Sequence, residues 1–224
     1  MINPFDLTRN IEKQVCKDHK KKFYRFRKTR FYGGCATADC VGCNLRCAYC
    51  WAQHKVWHPK KFGTFYTIRV VSERLIKMNL SFLRISGGEP TICKKYLINL
   101  INLIPEDKQF ILETNGILLD EDYIRELSKF NNLFVRVSLK GVDERTFEKI
   151  TGAEGKFFYN QLNTLDLLKE FEIKHRAALM VNLFTQAQID DLGIDNIEYE
   201  ILIEYPFVLK GLKKRGIKVK RLQT

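Results

Sequence analysis

From residue 80 onward, short runs rich in Val, Ile, Leu and Phe alternate with stretches whose apolar residues recur every three or four positions. The first kind reads as strand, at residues 82–86, 109–114, 133–139, 176–182 and 197–205. The second kind reads as helix. Tyr96, Leu97, Leu100, Ile101 and Ile104 share one face, and Pro105 ends that helix. Tyr123, Leu127 and Phe130 repeat the pattern after a cap at Asp120, and Leu162, Leu165, Leu168 and Phe171 mark a third helix. Residues 67–78 read as a further helix ending near Asn79, and residues 36–41 as the first strand. The pattern predicts about six β/α units: an α/β fold with parallel strands and outer helices, fewer than the eight of a closed barrel. Residues 34–207 form the expected core. Residues 1–33 form a basic N-terminal extension, packed on it or trailing from it, and 208–224 a basic C-terminal segment.

Polar residues and glycines gather where these strands end, the place where α/β barrels carry their chemistry. Gly42 leaves the first strand, Gly87 and Gly88 the second, Glu113-Thr114-Asn115-Gly116 the third, Ser138-Leu139-Lys140-Gly141 the fourth and Asn182 the fifth. Strand alternation puts Arg84 with Ser86, and Arg136 with Ser138 and Lys140, on shared faces. These faces are expected to point into the barrel and line the cavity. Outward ones would leave the arginines solvated or against helices. Glu198, Glu200 and Glu204 likewise share a face that either lines the cavity, for a cationic substrate or ribose hydroxyls, or carries ordinary surface charge.

The most specific chemistry lies at residues 42–51, where Cys43, Cys47 and Cys50 form a C-x3-C-x2-C array. Neighbours this close do not suit a disulfide framework. Three thiolates fall one short of a closed structural zinc site. A [4Fe-4S] cluster held by three thiolates keeps one iron open for a ligand. A zinc knuckle or buried free thiols would explain the cysteines but not Gly87-Gly88-Glu89-Pro90. Cys16, Cys35, Cys40 and Cys93 are too scattered to suggest a second cluster, and Cys40 reads as a small core residue.

The 224 residues suffice for one domain with a sizeable core and leave no room for a cobalamin domain. Apolar content of 45% and charged content of 29% are ordinary for a soluble protein. No signal-peptide core or transmembrane run is evident, and seven cysteines suit a reducing cytoplasm. The net charge is +12, concentrated in residues 13–30 and 210–221. The first cluster interleaves with Phe23, Tyr24, Phe26, Phe31 and Tyr32, a composition that holds phosphates and stacks bases, or else only sets solubility.

The cysteine array followed by Gly87-Gly88-Glu89-Pro90 resembles the radical S-adenosylmethionine (SAM) family, over residues 34 to 205. The resemblance implies a partial (β/α)6 barrel, a [4Fe-4S] cluster and SAM. Cys43, Cys47 and Cys50 would ligate three irons and SAM the fourth. Gly87 and Gly88 would admit the methionine end of SAM, Glu89 and nearby backbone its ammonium, and Pro90 would stiffen the turn. Tyr49 would lie against adenine, or else be a core aromatic. Glu113-Thr114-Asn115-Gly116 is similar to the Asp-Thr-Asn-Gly of the pyruvate formate-lyase activating enzyme branch, and Ser138-Leu139-Lys140 to its Asp-Leu-Lys. Lys140 would then pair with the SAM carboxylate, Glu113 would reach the sulfonium side or ribose, and Asn115, Ser138 and Asn182 would complete the cofactor site. Trp51-Ala52-Gln53 departs from the Asn-Pro of activases, and none of His19, His54, His58 or His175 lies near the last strand, where that branch often brings one.

The implied reaction is reductive cleavage of SAM to a 5′-deoxyadenosyl radical that takes hydrogen from an unidentified substrate. A low-potential donor such as flavodoxin or ferredoxin would supply the electron to a monomeric enzyme in an anaerobic setting. Glycyl-radical activation and radical modification of RNA are the specific alternatives, since a shallow barrel would admit a peptide or a nucleic acid loop.

Overall fold

The computed structural model describes residues 1–220; Arg221, the last of the basic residues noted above, lies outside them. Its strands are β1 (Cys16–Lys17), β2 (Lys20–Thr29), β3 (Cys35–Cys40), β4 (Thr64–Thr67), β5 (Phe82–Gly87), β6 (Gln109–Thr114), β7 (Leu133–Leu139), β8 (His175–Met180) and β9 (Glu198–Glu200). Its helices are α1 (Pro4–Val15), α2 (Gln53–Val56), α3 (Ile68–Ile76), α4 (Lys94–Ile101), α5 (Glu121–Leu127), α6 (Glu144–Thr151), α7 (Phe158–Glu170), α8 (Gln186–Asp190) and α9 (Pro206–Lys214). Strands β3, β5, β6, β7, β8 and β9 run parallel and side by side in that order, and β9 does not return to β3. This is the expected partial barrel.

The parallel strands are apolar because both faces are covered. Every residue of β3 is buried, and Leu83, Ile85, Phe110, Leu112, Val135, Val137 and Leu179 are almost wholly so. The helices are set by their caps. The Asp120 carboxylate accepts from the Tyr123 amide at 2.8 Å to start α5, and Asp143 and Thr146 form a capping box on α6. Among the described residues no helix is long and apolar enough to cross a membrane.

Two parts of the chain differ from the pattern reading. The basic N-terminal run contains α1 and a long strand: β2 pairs antiparallel with both β3 and β4. Alternation sends Lys21 and Phe23 into the core, while Arg25 and Arg27 converge on buried Asp39 at 2.7 and 2.8 Å. The last predicted strand shrinks from 197–205 to Glu198–Glu200. The Leu202 amide donates to the Asn182 side chain at 2.9 Å and the Tyr205 amide to the Ile203 carbonyl, so the ladder stops and Pro206 opens α9. Glu204 consequently stands exposed, away from the face that Glu198 and Glu200 share.

Candidate active site

The cysteine loop leaves β3 through Val41 and Gly42 and folds over the barrel mouth. Gly42 has φ +89°, and a Cβ there would collide with Ile11 and Val15 of α1. The loop is pinned to α6 by Arg46 and Ala48 amides donating to the Thr151 and Ile150 carbonyls, at 3.1 and 2.8 Å. The Arg215 guanidinium reinforces this join by donating to the Arg46 and Ile150 carbonyls. The glycine turn after β5 nests directly against the loop. The Gly88 amide donates to the Cys40 carbonyl (2.9 Å) and the Glu89 amide to the Gly42 carbonyl (2.7 Å). A Cβ on Gly88 would sit 2.0 Å from that Gly42 oxygen, so only glycine fits.

Cys43, Cys47, Cys50, Tyr49, Gly87, Gly88, Glu89, Glu113, Asn115, Ser138 and Lys140 all line one cavity. Burial pushes the three thiols up, Cys43 well above its usual range and Cys50 to about 12. Such thiols are neutral until a metal cation displaces their protons. Among the described residues no three His, Cys, Asp or Glu side chains converge closely enough for a single ion. The three thiols line a shared space, where they could ligate three irons of a [4Fe-4S] cluster. The donor set, the glycine cradle and a buried Tyr49 hydroxyl that, beside Lys140, has no hydrogen-bond partner of good geometry among the described residues together fit a cluster with a small-molecule ligand.

The Glu89 carboxylate, expected at the ammonium group, is engaged by protein donors. Its Oε1 accepts from the Thr91 amide (3.1 Å), the Thr91 hydroxyl (2.7 Å) and the Thr114 hydroxyl (2.6 Å), and its Oε2 from the Asn115 amide (2.8 Å). The carboxylate welds the glycine turn to the end of β6, and the turn's backbone remains to face the cavity. Asn115 continues the weld, its side-chain amide donating to the Asn44 side-chain oxygen at 2.8 Å.

Glu113 is also engaged. It accepts from the Tyr32 hydroxyl (2.9 Å), Arg84 (2.9 Å) and the Ser86 hydroxyl (2.8 Å). Arg84 and Ser86 therefore share the inner face. Arg136 is inward too, gripping Glu198 with two bonds of 3.0 and 2.8 Å and Glu200 with one of 2.8 Å. Desolvation alone would lower the Arg136 pKa, but these two carboxylates raise it overall. Lys140 donates to the Ser138 hydroxyl and lies 5.4 Å from the Tyr49 ring centroid. Unlike Arg84 and Arg136, it makes no ion pair with a carboxylate among the described residues.

Two sequence-predicted residues fall outside the cavity lining. Pro90 turns its carbonyl back to Lys21. Asn182 accepts from the Leu202 amide and donates to the Lys220 carbonyl, which makes it a brace for the chain after β9. Sequence reasoning missed Thr91, Thr114 and Asn44 as partners of the motif residues. It also missed Tyr32, held at φ +56° with its hydroxyl on Glu113, for which Gly33 and Gly34 were the available turn signal.

Comparison with known proteins agrees with this geometry. Residues 39–191 match the Radical SAM superfamily. A GTP 3',8-cyclase of Clostridium perfringens (strain SM101 / Type A) is 33% identical over 186 residues, covering 78% of this chain and 56% of that protein. The chain thus spans about half the length of the curated relatives it matches. Streptococcus suis SuiB bound to S-adenosylmethionine superposes with a TM-score of 0.59 at 17% identity, over 82% of this chain and 45% of that one. TYW1 with a lysine-pyruvate adduct does so with a TM-score of 0.55 at 21% identity, over 81% and 72%. Fold, motifs and sequence kinship converge: the chain belongs to the radical SAM superfamily, enzymes built around a [4Fe-4S] cluster and S-adenosylmethionine.

Proposed function

We propose that the protein cleaves SAM reductively and uses the product to take a hydrogen atom from a substrate bound in the open barrel. The observation that carries this reading is a single cavity shared by the three thiols, the Gly87–Gly88 turn and Lys140. When bound, the cluster and SAM supply a 5′-deoxyadenosyl radical. The protein supplies position and exclusion of water. Cys43, Cys47 and Cys50 would hold the cluster, the Gly87–Gly88 backbone the methionine end of SAM, Lys140 its carboxylate and Tyr49 its adenine. Glu89, Asn115 and Glu113 act one step back, fixing the turns that form the site.

The substrate class follows from charge. The cavity lining sets Glu89, Glu113 and Glu200 against Arg136 and Lys140. The relatives' name refers to GTP, yet a triphosphate here would meet carboxylates and an arginine that Glu198 and Glu200 already occupy. A neutral or cationic substrate suits the lining better. The activating-enzyme reading rests on the likeness of Glu113–Gly116 and Ser138–Lys140 alone, because the curated relatives described above are GTP 3',8-cyclases and not members of that branch; a peptide substrate would suit the open mouth. RNA modification has weaker support, because Asp39 engages two of the cations of β2. The basic surface also suits an acidic electron donor of the flavodoxin or ferredoxin kind. We place the enzyme in a reducing compartment, where the Cys16–Cys93 disulfide of the structure would open to two thiols.

The test is anaerobic reconstitution with iron and sulfide, addition of SAM and dithionite, and mass-spectrometric assay of 5′-deoxyadenosine. Product that disappears with Cys43→Ala, Cys47→Ala or Cys50→Ala supports the reading. An intact reduced cluster that binds no SAM overturns it.

A further inference from the structure

Lys21 is a lysine in the wrong environment for a surface charge. It lies on β2 between Cys16 of β1 and Tyr66 of β4, 1% exposed. Its ammonium donates to the carbonyls of Ile92, Pro90 (3.2 Å) and Glu89 (3.5 Å) and lies 3.7 Å from Cys93 Sγ. A buried ammonium is costly unless such acceptors surround it. Here the acceptors all belong to one segment, the limb that follows Gly87 and Gly88.

The turn is thus held from two sides. The Gly88 and Glu89 amides are tied to β3 and the cysteine loop, while the carbonyls of residues 89, 90 and 92 are drawn the other way by Lys21. The Glu89 carboxylate has four hydrogen bonds but no direct ion pair among the described residues; Lys21 lies nearby, its pKa lowered by burial, an effect that Glu89 partly offsets. Without it, three carbonyls would face an apolar pocket and turn in search of donors, moving the peptide planes that face the cavity.

We propose that Lys21 is a positioning residue for SAM: its buried ammonium holds the Gly87–Pro90 turn in the shape that receives the methionine end. This rests on the reading of that turn as the SAM site. Lys21 does not line the cavity, so its effect would pass through the backbone of the turn.

The test compares cluster-loaded wild type with Lys21→Met, which keeps most of the apolar stem without the charge, and Lys21→Ala, which leaves room beyond Cβ for ethylammonium. Lys21→Met is expected to retain iron and sulfide but to bind SAM at least tenfold more weakly by calorimetry, with the cleavage rate at saturating SAM unchanged. In Lys21→Ala, added ethylammonium is expected to restore most of the affinity. Hydrogen exchange on the cluster-free proteins should show faster exchange confined to residues 88–93. Unchanged SAM affinity in Lys21→Met overturns the proposal. Variants that lose fold and cluster together, with or without the amine, overturn it in favour of a purely structural lysine. Wild-type protein that binds no SAM sinks the reading of the turn instead, and the exchange measurement still decides whether Lys21 holds it.

Discussion

At the level of single residues, the cavity separates groups that are engaged by protein from groups that are not. Glu113 belongs to the first class. Removing it leaves Arg84, 3% exposed, without its carboxylate partner. Breaking a buried pair from one side costs about 3 kcal/mol. Glu113→Ala should therefore lower the stability of the protein by about that amount in urea titration, and Glu113→Asp by less. Tyr49 belongs to the second class. Its hydroxyl is buried with no hydrogen-bond partner of good geometry among the described residues, so Tyr49→Phe should leave stability unchanged or slightly raised. If that hydroxyl serves SAM, calorimetry will show several-fold weaker binding. Equal affinity would show that the hydroxyl does not serve SAM and would leave any role of Tyr49 to its ring. Lys140→Ala should weaken SAM binding while iron and sulfide content stay at wild-type values, because Lys140 is a cation with no carboxylate pair of its own in the cavity.

At the level of elements, burial governs both what the sequence reveals and how strands respond to pH. Strand β3 is covered on both faces, and the thiols of Cys35 and Cys40 are pushed up by burial to about 11. In the unfolded chain a thiol titrates near about 8.5. Between these values the unfolded chain has lost protons that the folded protein still holds, so stability falls as pH rises from about 9 to about 11. Denaturation midpoints across that range should show the decline, and Cys40→Ala should make it shallower. An equal slope in both proteins would mean that Cys40 is not protonated preferentially in the fold. The same burial made β5, β6, β7 and β8 legible as apolar runs. It hid β2, whose sequence from Lys20 to Thr29 looks like a solvated cationic stretch until alternation turns Lys21 and Phe23 inward. The edge position of β9 explains its overestimate, since the apolar residues Ile201 and Ile203 continue the strand pattern after hydrogen bonding has ended. In the site, the cysteines and glycines were legible because their chemistry is local in sequence. The bonds from Thr114 to Glu89 and from Tyr32 to Glu113 join residues 25 and 81 positions apart, and no pattern of spacing announces such contacts.

At the level of the whole molecule, the N-terminal segment is joined to the catalytic half by a covalent link that the reading of seven reduced cysteines did not foresee. Cys16 and Cys93 form a disulfide with Cα atoms 6.0 Å apart, 77 positions apart in sequence. The closed loop encloses β2, the cysteine loop and the glycine turn, so half of the residues lining the cavity lie within it. In the chain-entropy account, a cross-link spanning a loop of this size stabilises by about 4 kcal/mol, because the unfolded chain loses freedom. Where the compartment is reducing, the same two residues remain close as thiols and the contribution vanishes. Cluster-free protein should therefore show a higher urea midpoint when oxidised than after treatment with dithiothreitol. Cys16→Ser should abolish the difference and unfold like the reduced protein. Iron uptake by Cys16→Ser under anaerobic conditions should match wild type, since neither sulfur faces the cavity that holds Cys43, Cys47 and Cys50. A midpoint insensitive to dithiothreitol in wild type would show that the pair does not close in solution, and loss of iron uptake in Cys16→Ser would place this link closer to the cluster site than its position in the fold indicates.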